Sequence, residues 1–288
     1  MAVLAVLAVA RGSASHRLSP IGFPTVGVGV QTLSLHLPGS GADRSVRVWR
    51  PNVPDAAALP VVYFLHGNPG SPADLDVAAV ANQLGHFTYG GGTPFVIAAP
   101  DGNGARRDDT EWANATDGAD QEETFLVKDV LPAVEGRHPR DAAHRAIVGF
   151  SMGGYGAANL GLRHPRVFGQ IVSIAGYYHV DDPQGVFGGD VHAISANSPD
   201  QHPTAARGHR VLLLDGEQED QSLILGETAR FAGLLHAAGV PAAVQYAPGK
   251  HDWAFVGDEF RLVARFLAEG WGGTEGWGGT VRGANPRR

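Results

Sequence analysis

At 288 residues the chain is long for one domain and short for two, so one domain of about 250 residues with short tails fits. The formal charge is -7 with basic residues scattered, which excludes a face built for a phosphate backbone or an anionic membrane, and with it a nucleic-acid partner. There are no cysteines, so disulfides, thiolate metal sites and a cysteine nucleophile are excluded, while the compartment stays open.

The apolar run Met1 to Ala10 ends in Ala8-Val9-Ala10, a small-x-small cleavage pattern, but has no positive residue before Arg11. It is too short to span a bilayer. We read residues 1–20 as an atypical or truncated export signal or a disordered start. That implies a secreted or cell-envelope protein without stable membrane insertion, with the cytoplasm as the alternative.

From about Val30 the apolar residues alternate, with Leu33, Leu35 and Leu37 followed by Val46 and Val48 beyond Pro38-Gly39, which predicts an antiparallel hairpin. The texture then changes to short continuous apolar runs: 61–65, 95–99, 146–150, 171–175 and 211–214. Strands buried on both faces of a parallel sheet read this way. Helical spacing lies between them at Glu123 to Val134, Gly153 to Arg163, Thr228 to Ala238 and Glu259 to Leu267. The alternation predicts an α/β domain over 21–268, a mostly parallel central sheet with helices on both faces and an antiparallel N-terminal edge. The polar stretch from His179 to Arg210 reads as a cap above the carboxyl end of the sheet. The tandem repeat Glu269 to Thr274 and Glu275 to Thr280 is too short for a solenoid, so 269–288 reads as a flexible Gly-rich tail.

Gly149-Phe150-Ser151-Met152-Gly153 fits G-x-S-x-G, with a strand before it and a small-residue helix after it. That turn exposes the serine hydroxyl, and it needs glycines on both sides because a Cβ there meets the neighbouring strand and helix. A serine nucleophile needs a base near neutral pH. Of the 13 histidines, His251 lies in the Gly-bearing loop after the last strand candidate, Val244-Gln245-Tyr246. His138 and His164 precede prolines at helix ends, and His86, His192, His202 and His209 read as surface loop residues.

The acid that orients the imidazole belongs just past the strand from Val211 to Leu214, where Asp215, Glu217, Glu219 and Asp220 crowd into six residues. We favour Asp220, with Glu219 next. Developing charge on a substrate oxygen needs N–H donors, and Met152 and Asn68 are the candidates, since Pro69 has none. His66, Trp112, Asn114 and Trp253 are candidates for substrate binding. No His-Glu-x-x-His pattern or compact ligand cluster occurs, so neither a metal nor a cofactor is expected.

With these residues in hand, the chain resembles the esterase D branch of the α/β hydrolases, which includes feruloyl and other carbohydrate esterases, S-formylglutathione hydrolase and secreted mycolyltransferases. The resemblance runs from about Val61 to Leu267. It rests on Tyr63-Phe64-Leu65-His66-Gly67, Pro100-Asp101-Gly102, Glu123-Thr124-Phe125-Leu126, the stretch from His144 to Gly156, Arg163-His164-Pro165 and Gly249-Lys250-His251-Asp252-Trp253. It implies the α/β-hydrolase fold, Ser151 as nucleophile, His251 as base, an acid at Glu219 or Asp220, and Met152 and Asn68 as donors. The function it implies is a serine esterase working through an acyl-enzyme on a small-molecule or glycan-linked ester. The alternatives are an acyltransferase of mycolyltransferase type, and a non-catalytic binding protein on the same fold.

Overall fold

The computed structural model describes residues 25–36 and 43–274. Eight strands form one sheet in the order β1-β2-β4-β3-β5-β6-β7-β8. They are β1 (Val28–His36), β2 (Asp43–Pro51), β3 (Val61–Leu65), β4 (Val96–Pro100), β5 (Arg145–Phe150), β6 (Gln170–Ile174), β7 (Arg210–Gly216) and β8 (Ala243–Ala247). β1 and β2 pair antiparallel, as does β2 with β4, and every later pair is parallel. The antiparallel edge and the parallel centre are those the apolar pattern predicts.

Strands β3, β4 and β6 are buried at every residue, as expected of strands covered on both faces. Successive side chains feed opposite cores: Val62 and Phe64 join one cluster, while Val61, Tyr63 and Leu65 join the other. The edge strand β1 is largely exposed and β8 partly so, and each mixes polar with apolar residues.

Between β5 and β6 runs the helix Met152–Arg163, buried at every residue from Met152 to Leu162. Its small side chains let it lie against the sheet. The helix Val80–Tyr89 falls in a stretch not assigned from sequence. Val80, Leu84 and Phe87 give it helical spacing, but it starts after Ala79 with no polar N-cap, so the usual start signal is missing. The helical segment over 122–135 contains a π-turn at Phe125–Val130. Pro132 has no N–H for the carbonyl one turn back, which accounts for the widening.

The reading of 269–288 as a flexible tail is corrected at its start. Glu269 and Gly270 close the helix Phe260–Gly270. The Trp271 ring lies 5.4 Å from that of Phe95, and Thr274 accepts from the Thr93 backbone N–H and donates its own to Thr93 Oγ1. The second repeat copy, the proposed export signal and the Pro38-Gly39 turn lie outside the described residues. No helix among the described residues is long and apolar enough to cross a membrane.

Candidate active site

β5 delivers Ser151 to the carboxyl edge of the sheet, where its backbone takes φ 59° and ψ -121°. A non-glycine residue there is strained. The strain is held by the Ser151 N–H, which donates to the Ile174 carbonyl at 2.9 Å. The flanking glycines are sterically required: a Cβ on Gly149 would stand 2.0 Å from the Gly153 carbonyl oxygen, and one on Gly153 2.0 Å from that of Leu65.

One hundred residues downstream, His251 Nε2 lies 2.9 Å from Ser151 Oγ. Its Nδ1 lies 2.8 Å from Glu219 Oε2. The Glu219 side chain is 4% exposed and that of His251 14%. The two loops are stitched together, since Gln218 N–H donates to the Gly249 carbonyl and Gly249 N–H donates to Gln218 Oε1. The Phe150 ring lies 4.6 Å from the imidazole and 5.1 Å from Trp253, bracing the histidine from one side.

The acid beside His251 is therefore Glu219, and the preference for Asp220 is corrected. After Gly216 the chain turns tightly, with Glu219 N–H donating to the Gly216 carbonyl, which sends Glu219 inward and leaves Asp220 in solvent. A second carboxylate, Asp215, is buried behind it. Burial pushes it up to about 6, aided by the like charge of Glu219 and opposed by the Gly216 N–H.

Gly67 packs directly on the serine, and a Cβ there would stand 3.0 Å from Ser151 Cβ. Asn68 follows it, and Met152 opens its helix, where backbone N–H groups have no intrahelical acceptor. Both expected donors thus flank Ser151.

The expected substrate-binding residues divide. His66 is 2% exposed, and both ring nitrogens are engaged. Gly102 N–H donates to its Nε2 at 2.9 Å, so the proton sits on Nδ1, which donates to the Gly67 carbonyl at 2.8 Å. Trp112 is fully buried and its indole N–H donates to the His66 carbonyl at 3.0 Å. Both are corrected from substrate contacts to supports of the Asn68 loop, because burial leaves them no free face. Asn114 is also committed: it receives the Thr124 N–H and donates to Thr124 Oγ1. Trp253 remains half-buried beside Phe64 and Phe150.

One other histidine reading changes, since His209 is buried; His86 is exposed as expected, on the helix Val80–Tyr89 and not on a loop. His164 and Arg163 both bind Glu123, at 2.7 and 3.0 Å, which ties the Glu123-Thr124-Phe125-Leu126 and Arg163-His164-Pro165 motifs into one structural clasp. Burial pushes Glu123 up, but those two bonds outweigh it and hold the carboxyl below its ordinary value.

Sequence reasoning missed Glu111 and Tyr177. Glu111 sits in the polar run from Asp108 to Glu111, which reads as solvated, yet it is 3% exposed and hydrogen-bonded by the Tyr177 hydroxyl. Nothing in the local pattern signals that burial. Among the described residues no cluster of three or more His, Asp or Glu could hold a metal ion.

Comparisons with known proteins bear on the family and the fold. Residues 39–188, more than half of the chain, match the family model described as "Putative esterase". Esterase Rv1288 of Mycobacterium tuberculosis is 27% identical over 256 residues, covering 74% of this chain and 55% of its own, so the chain spans about half the length of the curated relatives it matches. Among solved structures, a ferulic acid esterase superposes with TM-score 0.71 at 22% identity, covering 85% of this chain and 99% of its own. An S-formylglutathione hydrolase from Agrobacterium tumefaciens gives 0.68 at 17% identity, covering 85% and 96%. MPT51 (FbpC1) of Mycobacterium tuberculosis gives 0.66 at 20% identity, covering 84% and 98%. At those identities the structures speak for the fold, and the family match carries the assignment. The chain belongs to the "Putative esterase" family of hydrolases, on the α/β-hydrolase fold.

Proposed function

We propose that the protein is a serine esterase that cleaves small carboxylic esters through an acyl-enzyme on Ser151. The observation that carries this reading is the unbroken chain from Ser151 Oγ through His251 to Glu219, with contacts of 2.9 and 2.8 Å. Ser151 Oγ attacks the ester carbonyl carbon while His251 Nε2 takes its proton. Glu219 holds the Nδ1–H tautomer and stabilises the imidazolium. The N–H groups of Met152 and Asn68 receive the developing oxyanion. The leaving alkoxide takes the proton from His251, and water repeats the sequence to free the acid. Acyl transfer to an alcohol uses the same five residues, and product analysis with an added alcohol separates the two outcomes.

A p-nitrophenyl acyl ester series tests the reading. Ser151→Ala and His251→Ala should each lower kcat/KM by about 10⁴-fold or more, leaving the fold intact by circular dichroism. Turnover by Ser151→Ala at the wild-type rate would contradict it.

A further inference from the structure

The strained turn beside the site offers a second level of control. Glu111 and Trp112 both have positive φ, 53° and 50°, a conformation costly for non-glycine residues and sustained only by surrounding contacts. Those contacts reach the site from two sides. The Trp112 indole holds the His66 carbonyl, and hence the loop carrying Asn68. Gly156 on the Ser151 helix packs so closely on Trp112 that a Cβ there would stand 2.8 Å from the Trp112 Cβ. Thr110 completes the turn, donating to the Gly102 carbonyl at 2.8 Å. The turn is a wedge between the nucleophile helix and the Asn68 loop.

Glu111 is the buried anchor of that wedge. Its carboxyl meets the Tyr177 hydroxyl, and the Tyr177 ring stacks on Tyr155 in the first turn of the Ser151 helix at 4.8 Å. The titratable groups facing Glu111 are Asp109 on the same loop, Asp182 on the cap and Tyr177 after β6, while Tyr155 on the helix also feels Arg163 and Glu123. Those facing Glu111 are two acids and a phenol, so none supplies a positive charge to its carboxylate. We propose that Glu111 is a positioning residue whose neutral form anchors the 110–112 turn and thereby aims the Asn68 loop at Ser151, so that its ionisation slows catalysis.

The proposal deepens the esterase reading and rests on it. Burial, reinforced by Asp109 and Asp182 and opposed by the Tyr177 hydroxyl, pushes Glu111 up to about 8. Neutral Glu111 therefore predominates below about pH 8 and the charged form above it.

The test is kcat and KM against pH for p-nitrophenyl ester hydrolysis by wild type, Glu111→Gln, Tyr177→Phe and Asp109→Asn. Wild-type kcat should fall above about pH 8, by about tenfold per pH unit once misalignment dominates, with KM little changed. Glu111→Gln should lose that alkaline limb. Tyr177→Phe removes a bond that favours the carboxylate, so the limb should move to higher pH. Asp109→Asn removes a like charge, so it should move to lower pH. An alkaline limb unaltered in Glu111→Gln overturns the proposal. So do shifts of the other two variants in one direction, and that pair decides the matter even if Glu111→Gln does not fold. Absence of any Ser151-dependent turnover overturns the esterase reading itself, and this proposal with it.

Discussion

At the scale of single residues, the loop after β7 separates what spacing can tell from what it cannot. The sequence places four carboxylates there but does not say which one turns inward. That depends on the Gly216 turn and on the clasp between Gln218 and Gly249, contacts made across 31 residues. We expect Glu219→Gln to lower kcat by about 10²- to 10⁴-fold through loss of imidazole orientation, while Asp220→Asn changes it less than about threefold. Steady-state kinetics on the two variants checks this, and the reverse ranking would contradict the geometry. Ser151 and His251 were legible because strand and loop context constrain them within a few residues. His66 and Trp112 were legible as belonging near the site, but burial, which no local pattern reveals, makes them supports.

At the scale of elements, the turn around Ser151 shows why its glycines are steric necessities. Adding one methyl at Gly153 drives a Cβ into the Leu65 carbonyl, backbone that cannot give way without moving β3. Gly153→Ala should therefore destabilise the fold by more than about 3 kcal/mol, read as a lowered urea midpoint. A midpoint within error of wild type would contradict the packing. The central strands were legible because burial on both faces forces unbroken apolar runs. The helix Val80–Tyr89 was not, lacking a polar cap. The first repeat copy looked like a tail because glycines and a lone tryptophan carry no periodicity. Its order comes from Phe95 and Thr93, far away in sequence. Trp271→Ala should cost about 1–3 kcal/mol in the same urea assay. No loss of stability would return those residues to the status of a tail.

At the scale of the whole molecule, three buried carboxyls set how stability varies with pH. Burial raises Glu111 and Glu122 from 4.5 to about 8 and Asp215 from 3.8 to about 6. Across those windows the native state holds protons that the unfolded chain has released. Their contribution is thus fully present below the unfolded values, declines as pH rises, and is gone above the folded ones. Glu123 and Glu135 act oppositely: held below their ordinary value, they contribute stability that is lost only as pH falls through their native values. We expect urea midpoints to decrease from pH 5 to pH 9, with a flatter profile in Glu111→Gln. Midpoints that rise over that range would contradict the assignment of Glu111 as a buried acid. These carboxyls come from the loop after β4, the start of the helical segment at 122 and the end of β7, and only the assembled fold discloses their burial.

The most direct test of the central claim is covalent labelling with a fluorophosphonate probe, mapped by mass spectrometry on wild type and Ser151→Ala. One modified peptide, carrying Ser151, is expected in the wild type, and no labelling in the variant. Well-folded wild-type protein that takes up no probe, or takes it up equally without Ser151, would contradict an activated serine at this site.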